Sequence, residues 1–395
     1  MTGPVDLPSV QPVSSAPHHH FFGYYDKSPW DASGDFLLAG DVDFCDREPT
    51  GRDVLTLGLV DLEEGCAFRP FAESRAWCWQ PGCQMQWLGT DPGRLVIYND
   101  RRGGRFISVV HDVLSGEERE LPRAVLAVSH DGKRALSVNM SRLGDMRPGY
   151  GYPGLADPNV MDAAPDDDGI WLMDIGTGES RLLLTYAQIA GAAPLPEMQG
   201  KKHWLNHLEF NPSDKRFTII HRWAEADEEG RQASGWGNQF FSANVDGTGL
   251  HYFDLDGLVS HYDWRDDETI LAWAKPKGAE RCYALLTDRT QDYEVVGEGV
   301  LDRDGHCSYS PDRRWILTDT YPDEESMRTL ILYHPETGRR VDIGRFFSPP
   351  ELKGPIRCDL HPRWSRDAKQ VCIDSAHEGT RQMYVIDAGQ IVEQQ

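Results

Sequence analysis

Four histidines occupy nearly the same place in a repeated pattern: His207 in HLEFNPSDKRF, His261 in HYDWRDDETIL, His306 in HCSYSPDRRWI and His361 in HPRWSRDAKQV. Three of them stand four residues before the residue that opens a polar turn (Asn211, Ser310, Ser365), and His261 stands three before Trp264. A lone histidine in a β-protein is more often a core or turn residue than a ligand. The same side chain at equivalent places in successive units predicts several imidazoles converging on one axis. Imidazole is a base near neutral pH and the commonest metal-ligating side chain. A set of nitrogen and oxygen donors suits Mn, Zn or Ni better than Ca.

The elements that must position these side chains follow from the repeat itself. Weaker copies of the turn precede the histidine units, as SPWDASGDFLLAG, WLGTDPGRLVIYN and SHDGKRALSVN, so the turns open at 28, 87, 129, 211, 264, 310 and 365. Seven copies in 395 residues give about 56 each, the scale of a four-stranded propeller blade. A further strand–turn–strand pair follows most copies, with hairpin chemistry in DGTG, GTGE and ETGR. The expected fold is all-β: a seven-bladed β-propeller of four-stranded antiparallel blades. Inner strands fall near 24–28, 83–87, 125–129, 207–211, 260–264, 306–310 and 361–365. The last unit has signal for only three strands, so residues 9–16 are expected to supply its fourth and close the ring. The chain reads as one domain over 1–395, with irregular segments about 143–168 and 186–204 as loops over one face. A short helix is expected near 186–195, ended by Pro194.

Composition narrows the function. A formal charge of −23 and a pI of about 4.9 disfavour nucleic-acid binding, which needs a basic face. No run approaches the roughly 18 apolar residues of a membrane span. The first residues, MTGPVDLPSVQPVSS, lack a secretory pattern. Eight cysteines without a CxxC or a disulfide spacing fit a reduced cytoplasmic protein, monomeric or a small homo-oligomer.

In a blade, the start of the inner strand and the residues just after the second strand meet on one face of the ring. The first set holds the four histidines and Tyr24 of FFGYYDKSPW; the second includes Arg142, His221, Arg222, Tyr321 and His377. Together they predict a mouth of imidazoles, guanidinium groups and phenols on an acidic protein. Trp204, Trp223 and Trp236 are expected in loops, where indoles stack on sugar rings.

DGHCSYSPDRRWILTDTYPD and DLHPRWSRDAKQVCIDSAHEGTRQMYVID resemble the oligogalacturonate lyases, a family of seven-bladed propellers related to TolB-type repeats. FFGYYDKSPWD is similar, more loosely, to propeller lyases and rhamnosidases acting on rhamnose–uronate linkages. The resemblance implies β-elimination in a uronate-containing oligosaccharide, with a divalent metal, usually Mn, held by histidines and a glutamine. By the same resemblance His207 matches the base, and His306, His361 and His261 match the metal's surroundings. Gln382 is the candidate for the glutamine. DLHPRW departs from the pattern, with a single His where the family has a closely spaced pair.

The chemistry suits the residues. Taking the C5 proton of a uronate requires the adjacent carboxylate to be neutralised by a metal or an arginine, here Arg222 or Arg142. A histidine then accepts the proton, and a phenol such as Tyr24 protonates the leaving oxygen. Two other classes remain open: a glycoside hydrolase, which needs two carboxylates flanking the bond, and a non-catalytic propeller that binds glycan or protein.

Overall fold

The turn that marks each repeat is built from side chains. In the computed structural model, which describes residues 8–393, Ser310 Oγ donates to Asp312 Oδ1 (2.6 Å) and accepts from the Trp315 N–H (3.0 Å). Ser365 makes the same pair of bonds with Asp367 and Gln370, and Ser129 with Asp131 and Arg134. Asn211 takes the place of the serine in its repeat, accepting from the Arg216 N–H at 2.9 Å. Three residues after each opener the backbone turns left-handed, at Gly132, Asp214, Arg313 and Ala368. Short side chains that bond their own backbone stabilise such turns, which is why the repeat is visible in sequence.

These turns join the first two strands of each of seven four-stranded antiparallel sheets, so the chain is a seven-bladed β-propeller. Six blades are simple meanders in chain order. The seventh combines Arg363–Trp364, Gln370–Ser375 and Gln382–Asp387 with the N-terminal strand Val10–Pro12, paired as Val10↔Ile386 and Pro12↔Tyr384. Apolar packing between blades is dense, with Trp30, Trp79, Trp264 and Trp315 almost fully buried. Among the described residues no helix is long and apolar enough to cross a membrane.

Two expectations of detail need correction. The first inner strand is His19–Phe21, ahead of the expected 24–28; Tyr24 follows it in an irregular stretch before the Trp30↔Leu37 bridge. Trp204 and Trp223 lie in the strands Lys202–Phe210 and Arg216–Ala224 and are buried, leaving only Trp236 of the three exposed. The expected helix is present as Tyr186–Ala192, opened by a capping box between Thr185 and Gln188. A second helix, Met140–Met146, begins the long insertion.

Beneath the insertion, His203 and His221 lie diagonally opposite on neighbouring strands and stack at 5.0 Å, with Nδ1 of one 2.8 Å from Nε2 of the other. That contact fails once both rings are protonated, because both facing nitrogens then carry a hydrogen. Burial holds His203 down to about 4, with Arg142 adding to the effect, and burial with His203 holds His221 down to about 3. The unfolded chain therefore binds protons that the folded one refuses below pH 6.5, so stability is full above that pH and falls as the pH drops toward 3. We expect the unfolding free energy obtained from urea titrations to fall on acidification from pH 7 to pH 4 by on the order of a few kcal/mol. A His203→Gln/His221→Gln double variant should flatten that slope; an unchanged slope would remove the pair from the account.

Candidate functional site

The histidines that opened the sequence argument sit where inner strands depart from regular pairing. The register of Lys202–Phe210 against Arg216–Ala224 breaks between Asn206 and Glu209, and that of Val259–Trp264 against Thr269–Ala274 breaks between Val259 and Tyr262. His207 and His261 occupy these bulges, which re-aim side chains out of the regular alternation. His207 has φ 46° and His361 φ 41°, a left-handed backbone that costs a non-glycine residue roughly 1–3 kcal/mol. At His207 the conformation is clamped by the Tyr262 hydroxyl, which donates to the His207 carbonyl.

Tyr24 is the hub of the cluster. Its ring stacks on His207 at 4.9 Å and 11°, and meets His361 edge-on at 4.8 Å and His306 at 6.1 Å. His306 lies 4.5 Å from His361 and 4.2 Å from His261, ring centre to ring centre. The four recurrent imidazoles and the phenol therefore form one group, and His261 stays within it despite its offset. Tyr24 Oη is 3.4 Å from His207 Nε2.

The electrostatics separate these groups into roles. Burial, then Arg222, His261 and Arg147, hold the His207 imidazole well below its ordinary value, so it is neutral. Burial, reinforced by Tyr150 and Tyr321, pushes Tyr24 far up, so it stays a phenol. Arg222, on the second strand of the same blade as His207, is buried and lowered to about 10 by burial and Arg147. Its Nε has no partner. It lines a cleft of about 600 Å³ with Trp236, Ser260, Asp304 and Tyr321.

Beside Tyr24 and His207 is a second arrangement. One ligand atom each from His306, Asp359 and His361 lie within 4.8 Å of one another, all three residues buried. His306 Nε2 and His361 Nε2 are buried without a hydrogen-bond partner. His306 Nδ1 is held by Asp319 at 2.9 Å, the carboxylate–histidine arrangement that leaves Nε2 as the donor to a metal. Burial alone would raise the Asp359 carboxyl, but Arg357 at 2.6 Å and Arg328 at 2.7 Å outweigh it and hold it well below the usual carboxylate range. Two orphaned imidazole nitrogens and an ionised carboxylate fit a divalent cation of mixed nitrogen and oxygen preference.

Two candidates lie elsewhere. Arg142, fully buried in the helix Met140–Met146, bonds Asp157 and the carbonyls of Asn159, Asp162, Ala163 and His203. It ties the insertion to the fourth blade and has no atom left for a substrate. Gln382 is in the ring seam: its Oε1 accepts from Ser14 at 2.6 Å and its Nε2 donates to the His18 carbonyl at 2.7 Å. His221 and His377 are likewise occupied, by His203 and by Phe346 and Tyr384.

No family model and no curated relative matches the sequence. Solved structures do match. An oligogalacturonate lyase in complex with manganese aligns with a TM-score of 0.67 at 15% identity, over 96% of this chain and 93% of that one. An oligogalacturonate lyase from Vibrio parahaemolyticus aligns with 0.65 at 14%, over the same shares. The fold is that of the oligogalacturonate lyases. A prolyl endopeptidase also matches, with a TM-score of 0.53 at 10% identity, over 94% of this chain but 47% of its own. The oligogalacturonate lyases thus share the whole ring, whereas the peptidase shares part of a longer protein.

Several residues the sequence reading passed over complete the site. Asp359 lies two positions before His361, and the D-L-H spacing was the available signal. Asp319 and Asp304 hold His306 and His261 by Nδ1. Tyr150, from the insertion, packs edge-on against His207 at 5.3 Å and accepts from Arg357 at 2.8 Å. Its place in an aperiodic segment gave no signal.

Proposed function

We propose that the protein is a lyase that cleaves a uronate-containing oligosaccharide by β-elimination. The observation that carries this reading is the meeting of a neutral imidazole and a protonated phenol, His207 and Tyr24, 3.4 Å apart beside the buried, partly unpaired guanidinium of Arg222. In this reading Arg222 binds the substrate carboxylate and stabilises the enolate-like charge that develops when the C5 proton leaves. His207 takes that proton and Tyr24 gives one to the departing glycosidic oxygen. His306, Asp359 and His361 would hold a divalent metal, with His261 beside them. When bound, such an ion supplies further positive charge to the carboxylate as a Lewis acid. Trp236, exposed and flanked by Arg147 at 4.6 Å and Arg222 at 5.6 Å, is the platform for a sugar ring next to the one cleaved.

The hydrolase alternative needs two carboxylates free to flank the bond. Three of the carboxylates at this group are committed: Asp304 to His261, Asp319 to His306, and Asp359 to Arg328 and Arg357. The scaffold alternative leaves unexplained why buried imidazole and guanidinium nitrogens stand without partners, each costing about 1–3 kcal/mol. The test is incubation with a panel of uronate oligosaccharides, watching for the ultraviolet absorbance of a conjugated unsaturated uronate. We expect that absorbance to rise. Saturated reducing ends appearing without it would establish hydrolysis instead.

A further inference from the structure

Resting on the lyase reading above, the positions of Tyr24 and His207 carry information about the stereochemistry of the sugar. β-Elimination breaks the C5–H bond and the C4–O bond of one ring. In galacto- or L-guluro-configured uronates these bonds point to opposite faces. In gluco- or manno-configured uronates they point to the same face. A base and an acid working on opposite faces must have the ring between them, as the carboxylates of glycosidases do at roughly 5 Å or more. Here the Tyr24 hydroxyl and His207 Nε2 are 3.4 Å apart, on nearly parallel rings at 11°. No sugar ring fits between them.

We infer that the substrate is a 4-linked uronate of the D-gluco or D-manno type, cleaved by syn elimination with Tyr24 and His207 acting on one face of the ring. The C5 proton passes to His207 Nε2, the electron pair of that bond forms the C4–C5 double bond, and the C4–O bond breaks with its electrons on the glycosidic oxygen. That oxygen takes the Tyr24 proton. Exchange with solvent then takes the proton from His207 and returns one to the Tyr24 phenolate, restoring both groups. The net change is transfer of one proton from C5 to the leaving oxygen. A substrate with its C4 oxygen on the far face places that oxygen beyond Tyr24's reach.

The unsaturated product loses both stereocentres, so the substrate must report the answer. The experiment compares oligosaccharides matched in every position except C4 of the uronate, gluco against galacto, by the rate at which unsaturated product forms. We expect kcat/KM to favour the gluco series by about 10²-fold or more, the scale of a misplaced reacting group. Cleavage of the galacto series alone, or of both equally, overturns the inference and leaves the lyase reading standing. Unsaturated product from neither overturns both. A second measurement uses Tyr24→Phe, which keeps the ring stacked on His207, with a 4-deoxy-4-fluoro uronate whose fluoride leaves without a proton. The variant's loss in kcat should be large for the glycosidic substrate and small for the fluoride. Equal losses for the two leaving groups would show that Tyr24 does not protonate the leaving oxygen, and the one-face mechanism would fall.

Discussion

His207→Ala lowers turnover by roughly 10²–10⁴-fold, the range in which a positioned general base contributes, while leaving the metal content of the purified protein unchanged. His207 is separate from the His306–Asp359–His361 group, whose ligand atoms do not include it. Its neutral imidazole is the proton acceptor in the proposed reaction, so the loss should fall on kcat more than on KM. The wild-type pH profile supplies an independent check. A base works in its unprotonated form, so activity is full above its pKa and falls as the pH drops through it. Burial and Arg222 hold His207 well below 6.5. The acid limb of kcat/KM should therefore lie below the ordinary histidine range. A limb centred near 6.5, or full activity in the alanine variant, would remove His207 from the role of base.

His361→Ala produces the opposite signature: loss of bound metal first, and loss of activity with it. Loss of even an outer-sphere partner weakens metal affinity about 10–100-fold, and removing an imidazole that supplies a ligand atom should exceed that. Asp319→Asn, which weakens the carboxylate's hold on the His306 backbone N–H and Nδ1 without removing a ligand atom, should reproduce the smaller effect. Elemental analysis after dialysis, and the manganese concentration that half-restores thermal stability, would read both. Retention of metal at wild-type affinity in His361→Ala would separate this cluster from metal binding.

What the sequence made legible, and what it hid, follows from periodicity. The seven turns were visible because each is assembled from local side-chain bonds, such as Ser310 with Asp312, that recur at fixed spacing. The histidines were visible because they share a position relative to those turns. Tyr24 was found through the same alignment, although the strand it was assigned to lies earlier in the chain. Arg142 was misread because its place after a second strand matched Arg222's, yet a helix begins there and turns the side chain into the insertion. Gln382 sits in the third strand of its blade, not an inner one, and its amide is consumed by the seam. Tyr150 belongs to no repeat position and no pattern could raise it, whereas Asp359 was signalled only by its D-L-H spacing from His361. Function here was legible where it borrowed the repeat and hidden where it departed from it.

The strand Val10–Pro12 finds its partner at residues 384–386, and the Ser14–Gln382 bond beside it spans 368 residues of sequence. Synthesis runs from one end of that span to the other. This strand must therefore wait, unpaired and edge-exposed, until Gln382–Asp387 has been made. Each meander blade can form from its own contiguous residues in the interval. Closure of the ring is the one event that cannot begin early, and loop-closure entropy makes it slow. The site spans that same gap, since Tyr24 arrives with the first blade and His361 with the seventh. Tyr24, His207 and the His306–Asp359–His361 group are thus brought together only when the circle closes, and a nascent or truncated chain lacks the proposed site.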